Sequence, residues 1–405
     1  LRELKSQAPV PGPFRAGQRA GRAGIRSGEG VGLQGEHQRF EIRLTDRELL
    51  RRREESLSHS ERGWNVVLGC QPVSEGCRSC LAQARLDVHN ANAGQGVDWS
   101  RGGGVEIEQA LSEPAAWTAP QRVVVAPLSD LFQPAVSAIF VQRVLKVVAA
   151  HPQHQFLLTT RHPRRMRELL AAQAPPPNLG IGISAEDLDS YAERLPYLFD
   201  IDAQSRHAVL EPLLGPVDVE RIELATRDIL WPLEGLVQQY LGLDARHRPQ
   251  WLPKSDPLRR LPRLDWVVLG GERGQEPRPP HPDWVRAVRD ACLRQGVPFF
   301  FRGWGDYVPT RKPDLEDPQL MAVSPDGTRR GRGAGSAINR FAVGEHDVWF
   351  TRLPRGDEPI QFFIDGQRHL GVPAPRAPGP RAQGDDGILE QELRRLTPKG
   401  AARLR

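Results

Sequence analysis

Residues 155–184 read QFLLTTRHPRRMRELLAAQAPPPNLGIGIS. The apolar run Gln155–Leu158 leads into an amphipathic stretch, Pro163–Ala172, and then into a second apolar run, Leu179–Ile183. Two short runs with no polar alternation, joined by a helix-length segment, predict parallel strands buried on both faces and linked by a crossover helix. Working outward, the same rhythm recurs at Trp64–Leu68, Arg122–Val125, Ala208–Leu210, Trp266–Leu269 and Pro298–Phe301. Helices are expected at Ala135–Ala150 and Pro282–Gln295, the latter with Trp284, Val285, Val288, Ala291 and Cys292 on one stripe and Gly296 as its C-cap. Seven such alternations without hairpin turns predict an α/β fold, either TIM-barrel-like, as a partial or full βα barrel, or a doubly wound sheet.

The flanks read differently. Residues 1–60 are expected to be a low-complexity tail, disordered through about residue 36, with one short helix after it. Residues 61–310 form the barrel-like domain, and 311–405 a loop, a small β appendage and a terminal helix after a Pro/Gly linker. Between Leu210 and Trp266 the chain is longer than a crossover needs, so residues 223–262 are expected to be a rim insertion, with Arg227–Leu243 as an extra helix.

Composition narrows the class. Lys and Arg total 55 against 50 for Asp and Glu, a net charge of +5 spread too thinly over 405 residues to indicate nucleic acid by itself. No run nears the roughly 18–20 apolar residues of a membrane span, and no secretory signal opens the chain. A start at Leu1 reads as a fragment or a misplaced start. Four Cys in so long a chain make no disulfide scaffold, which points to a reducing cytoplasm.

Three of those Cys fall in one loop, Gly69-Cys70-Gln71-Pro72-Val73-Ser74-Glu75-Gly76-Cys77-Arg78-Ser79-Cys80, a C-x6-C-x2-C spacing after the first strand. A helix is expected to begin at Cys77 and Cys80 and to favour their thiolates. Three thiolates can hold three irons of a 4Fe-4S cluster and leave one open, or hold zinc with His89 or water as a fourth ligand. Ordinary core Cys is the bland alternative. Cys292, on a helix stripe, is expected to be a buried hydrophobe and not a ligand.

A second pattern runs along the strand ends, where active sites of parallel α/β folds lie. Asp130, Thr159-Thr160-Arg161, Ser184, Glu186-Asp187, Glu211, Gly270-Gly271-Glu272 and Arg302 each follow an apolar run. Helix N-capping would account for Asp130, Thr159 and Ser184 one by one. Glu211 and Glu272 have no such excuse, because an unpaired carboxylate beside a buried strand is costly.

The blocks GWNVVLGCQPVSEGCRSCLAQ, VVVAPLSDLF, FLLTTRHPRRM, NLGIGISAEDLDSYAERLPYL, AVLEPLLGPVDV, DWVVLGGERGQEPRPPHPDWVRAVRDAC and VPFFFRGWGDY resemble, in order and wording, the phage-type three-Cys-motif family. This is a domain of unknown function, regarded as barrel-like and organised like radical S-adenosylmethionine enzymes, and the likeness covers about residues 63–307. The resemblance implies a phage or mobile-element protein in which Cys70, Cys77 and Cys80 ligate the cluster. On that hypothesis the strand-end residues Asp130, Arg161, Ser184 and Glu186 are expected to bind S-adenosylmethionine, with Glu211 and Glu272 catalytic, although the role of the Gly-Gly-Glu motif in radical enzymes is not transferred to Glu272. The chain departs from the family at Leu81, usually Tyr, at Thr159-Thr160-Arg161, where Lys is usual, and at Arg302-Gly303, usually Lys-Gln. Its substrate is unknown. A rival reading is a zinc-stabilised module without catalysis that binds nucleic acid or a protein encoded nearby, for which the Arg-rich 245–263 segment speaks. A third is a homologue that keeps the barrel and has lost its reaction.

Overall fold

The structure is a computed structural model and describes residues 62–80, 82, 103–171, 174–274, 276–331, 344, 346–353 and 362–373. By internal contacts the chain divides into Leu1–Glu48 and Leu49–Arg405, and every described residue belongs to the second unit. The expected N-terminal tail, the fourth-ligand candidate His89, Leu81 and the terminal helix lie outside the described residues, as does most of the helix expected after Cys80.

Seven strands form one parallel sheet: β1 (Arg62–Trp64), β2 (Arg122–Val125), β3 (Gln155–Thr160), β4 (Leu179–Ser184), β5 (Ser205–Leu210), β6 (Trp266–Gly270) and β7 (Phe299–Gly303). They lie side by side in chain order. No reversal of order occurs, so this is not a doubly wound sheet with a topological switch point. The sheet curls as a half-barrel. Its β7 edge is covered from outside the seven by an antiparallel bridge from Leu370 to Phe300.

Crossovers are helical where the sequence has a helical stripe. Helix α1 (Ala138–Ala150) is capped by Ser137, whose hydroxyl accepts from the amide of Phe140. After α2 (Pro163–Ala171) comes α3 (Leu188–Phe199), where Asp187 and Ser190 form a reciprocal capping box. Helix α4 (Pro282–Arg294) opens with Pro at its first position and stops before Gly296, whose φ of +60° an L side chain rarely adopts. These helices cover the outer face of the sheet, so that Phe156, Leu158, Ile181, Ile183, Leu210, Val267 and Phe301 share one core with Val144, Tyr191, Leu195, Val288 and Cys292. The inner face carries a second, smaller cluster of Leu157, Val209, Trp266 and Val268. In β4 the inner positions are Gly180, Gly182 and Ser184, and the outer ones Leu179, Ile181 and Ile183.

Three expectations are corrected. Trp64–Leu68 is not one strand: β1 ends at Trp64, the chain turns through Val66, whose amide donates to the carbonyl of Trp64, and Val67–Leu68 pairs antiparallel with Val105–Glu106. Arg227–Leu243 is not a helix but the strands Ile229–Trp231, Leu236–Gln238 and Tyr240–Leu243. Pro232 supplies no amide to a helix ladder, and Gly235 turns at φ +70° against the carbonyl of Leu261, 2.4 Å from where a Cβ would stand. Ile229–Trp231 and Leu236–Gln238 join Ile222–Glu223 and Arg259–Arg260 in a small antiparallel sheet that buries Ile222, Leu230, Leu233 and Val237 against the main core, while Tyr240–Leu243 pairs separately with Pro249–Trp251; together they make the crossover between β5 and β6. Finally, the loop expected after residue 311 carries two strands. Met321–Val323 and Arg329–Gly331 join Tyr307–Thr310 and Val348–Arg352 in a four-stranded antiparallel sheet.

Candidate functional site

The three-Cys loop lies at the C-terminal end of the parallel strands and is tied down along its length. At its start, the buried amide of Gln133 donates to the carbonyl of Gly69 at 2.9 Å and accepts from the Gln71 amide at 3.2 Å. The hydroxyl of Ser129 also donates to Gly69. Inside the loop, Cys77 donates its amide to Ser74 and Cys80 to Cys77, winding Glu75–Cys77 into one tight turn. At its middle, a Cβ on Gly76 would lie 3.0 Å from the guanidinium of Arg161 and 3.2 Å from the carboxylate of Glu186. Only a residue without a side chain lets the loop settle this closely on that ion pair.

Beneath it, Asp130 accepts from the Phe132 amide at 2.9 Å, the Thr160 hydroxyl at 2.7 Å and the Arg161 amide at 2.8 Å. It is thus no helix cap but a tie between the ends of β2 and β3. Glu186 is 2% exposed and is held by Arg194 at 3.0 and 3.3 Å, with Arg161 at 3.8 Å. Arg194 also donates to the carbonyl of Ser184 at 2.7 Å. Two guanidiniums thus share one carboxylate, and the buried Nε of Arg161 has no hydrogen-bond partner. Arg161 reaches on to the carbonyl of Glu211 at 3.3 Å.

On the inner face of the sheet, Glu211 accepts from Arg302 at 2.9 Å, and Thr159 bonds to His207 at 2.8 Å. Glu272 is 4% exposed, and Arg278 grips both its oxygens at 2.7 Å. Burial, then the charges of Asp130, Cys77 and Cys80, push the Cys70 thiol up to about 12, with Arg161 pulling the other way. A ligand that takes this sulfur must displace its proton.

The structure therefore brings Cys70, Cys77, Cys80, Asp130, Arg161, Ser184, Glu186 and Glu211 to one end of the sheet, with Glu272 against the far side of the loop. All four cysteines are free thiols, and Cys292 is fully buried on α4. The Cys70 sulfur faces the carbonyl of Gln71 and that of Cys77 the hydroxyl of Ser74. Among the described residues no group of three His, Cys, Asp or Glu stands in metal-holding geometry. Sequence reading missed Gln133, Arg194 and Arg278. Arg194 was within reach, because the capping pair Asp187 and Ser190 announces its helix. The other two are loop residues with no local signal.

Among the described residues no helix is long and apolar enough to cross a membrane. Fold and site define a curled parallel α/β protein with a thiol-bearing loop strapped across its strand ends. The chain belongs to the family described as "Protein of unknown function (DUF5131)", whose model matches residues 54–366. No curated protein and no solved structure matches it.

Proposed function

We propose that this protein is an iron–sulfur, S-adenosylmethionine-dependent radical-type enzyme of the phage three-Cys-motif kind, built on a partial βα barrel and working in the reducing cytoplasm. The observation that carries the reading is the placement of a three-thiol loop directly over Arg161 and Glu186 at the strand ends. The donor set fits the cluster: three free thiols within eleven residues, a fourth Cys only at position 292, and the cation of Arg161 acting on the Cys70 sulfur. Bound there, a four-iron cluster with one open iron and its cofactor supply one-electron chemistry.

The chain's own residues divide the remaining work. Cys70, Cys77 and Cys80 hold the cluster. Arg161 binds the cofactor's carboxylate beside Ser184, while Asp130, which accepts from its backbone amide, and Glu186, which faces its Nε at 3.8 Å, position it. Glu211 and Arg302 face substrate from the inner surface. Glu272 is a positioning residue here, since both its oxygens are taken by Arg278.

Anaerobic reconstitution tests the reading. Iron and sulfide should load together with absorption near about 400 nm from thiolate-to-iron transitions. Added S-adenosylmethionine should change the electron paramagnetic resonance of the reduced cluster. Cys70→Ala, Cys77→Ala or Cys80→Ala should abolish both signals. A colourless protein with one zinc per chain and no response to the cofactor overturns the proposal.

One observation favours the second reading, a zinc-stabilised nucleic-acid-binding module. The ribbon Tyr240–Leu243 and Pro249–Trp251 exposes Leu241 and Leu243 and carries Arg246, His247 and Arg248 in its turn. Binding of a DNA oligonucleotide that weakens steeply with salt and is lost in Arg246→Ala/Arg248→Ala would support it.

A further inference from the structure

We infer that Arg278 is the latch that holds the three-Cys loop over the strand ends, and that the C-terminal sheet sets this latch through Arg329 and Arg352. What the latched loop holds rests on the iron–sulfur reading; the latch itself does not.

Arg278 bridges two segments about two hundred positions apart. Toward its own loop, its backbone amide and Nε donate to one oxygen of Glu272 at 2.8 and 2.7 Å, and one terminal nitrogen donates to the other at 2.7 Å. Toward the three-Cys loop, it donates to the carboxylate of Glu75 at 3.0 Å and to that residue's carbonyl at 2.8 Å. Glu75 directly precedes Gly76 and Cys77, so the grip falls at the turn that presents the second thiol. Because one bond goes to the backbone, it holds whatever the side chain at 75 does.

The segment beyond Glu272 forms the bed of that turn. Gly274 has φ +134°, and a Cβ there would lie 2.7 Å from the carbonyl of Ser79. The hydroxyl of Ser79 donates to the carbonyl of Glu276, and Arg78 pairs with its carboxylate at 3.1 Å. Loop and bed meet backbone to backbone, which a side chain at 274 would prevent.

The back of the bed is held by the C-terminal sheet. Arg352 donates to the carbonyl of Gly274 at 3.1 Å. Arg329 donates to the carbonyls of Pro279 at 3.3 Å and Leu214 at 3.0 Å. His281, at the start of α4, meets the carbonyl of His346 at 3.1 Å. Burial and the nearby charge of Arg278 pull Arg329 down to about 10, so this cation is held against its own desolvation by carbonyl acceptors and by Glu272. A sheet merely appended to the domain would have no reason to half-bury a guanidinium there.

The test uses the full chain, without metal, and follows alkylation of each thiol by iodoacetamide with mass-spectrometric readout. Cys77, 8% exposed, is the reporter. Arg278→Ala should raise its alkylation rate about tenfold, the equivalent of about 1.4 kcal/mol in opening of the loop. Arg278→Lys, which keeps the charge and part of the hydrogen bonding, should restore some protection. Arg352→Ala and Arg329→Ala should raise the rate in the same direction, although neither touches the loop. Arg143→Ala, which breaks the surface pair with Glu108, should leave it unchanged. Thermal melts separate loop release from unfolding. Should Arg278→Ala fail to fold, Arg352→Ala decides the matter. Wild-type alkylation rates in folded Arg278→Ala or folded Arg352→Ala overturn the inference. Iron content, read in parallel, distinguishes the claims: a wild type that takes up no iron yet shows these rate changes loses its proposed function and keeps its latch.

Discussion

The imidazole of His207 occupies the space that a side chain at position 182 would need. A Cβ on Gly182 would lie 2.3 Å from its Cδ2 and 2.6 Å from the His207 carbonyl oxygen. The two residues are neighbours across β4 and β5, and the ring is fixed by Thr159 at 2.8 Å and lies over Trp266 with centroids 6.1 Å apart. Beside the Trp266 cluster, the inner face of the half-barrel is therefore filled by His207 leaning into the hollow of a glycine.

Gly182→Ala should destabilise the fold by about 1–3 kcal/mol, because the clash with backbone cannot be relieved by turning the ring. Urea denaturation measures it. Gly296→Ala gives the contrast: its Cβ would meet nothing, so only the strain of φ +60° remains, costing about 1 kcal/mol. Equal losses at the two positions would mean that Gly182 serves backbone geometry and not the seat of His207.

Burial, with the charge of Arg302, lowers His207 to about 3. In the unfolded chain it takes a proton near pH 6.5, in the folded chain only near 3, so between these values the unfolded state binds more protons. Its contribution to stability is present above pH 6.5 and is lost as pH falls toward 3, at up to about 1.4 kcal/mol per pH unit. His207→Gln should flatten the decline of unfolding free energy between pH 7 and 5. An unchanged slope would place the acid sensitivity elsewhere.

Ending the chain after Leu353 should promote self-association. Residues 369–371 cover the edge of β7, with Phe301 donating to His369 and Gly371 to Phe299, and the indole of Trp266 donates to the carbonyl of Gly371 at 2.8 Å. Without them an apolar strand edge is open to pairing with another chain. Light scattering after size-exclusion chromatography reads the outcome, and a truncated chain that stays monomeric and melts with the full-length protein contradicts it.

Cys292→Ala should leave iron content unchanged and cost about 1 kcal/mol, the effect of a small change in an apolar core. Burial pushes this thiol up to about 12, as suits a core residue. Iron analysis beside a denaturation curve checks both halves. Loss of iron would make Cys292 a ligand after all.

Much of this was legible along the chain, and for one reason. Apolar runs such as FLL and GIGI, spaced by stripes such as that of α4, carry periodicity that local backbone geometry obeys, so six of the seven parallel strands and three helices lie close to where the periodicity puts them, β1 being the exception. Polar residues closing those runs were legible too, and the structure gives Asp130 and Glu272 partners that tie neighbouring segments together. The segment 227–243 was misread because its apolar residues fit either period until Pro232 and Gly235 are weighed as turn residues.

Composition and periodicity by themselves thus determined the α/β class, the parallel sheet and the three-thiol loop. Only the tertiary structure decided which partner each carboxylate takes. Glu211 and Glu272 look alike in sequence, each following a buried strand, yet Arg278 takes both oxygens of Glu272 while Glu211 faces Arg302 on the inner surface. Nor could sequence place the C-terminal sheet behind the loop, since Arg329 and Arg352 reach it through carbonyls that every residue possesses. A bond to a backbone carbonyl leaves no pattern in residue identity, and only the folded chain shows which carbonyl a distant guanidinium meets.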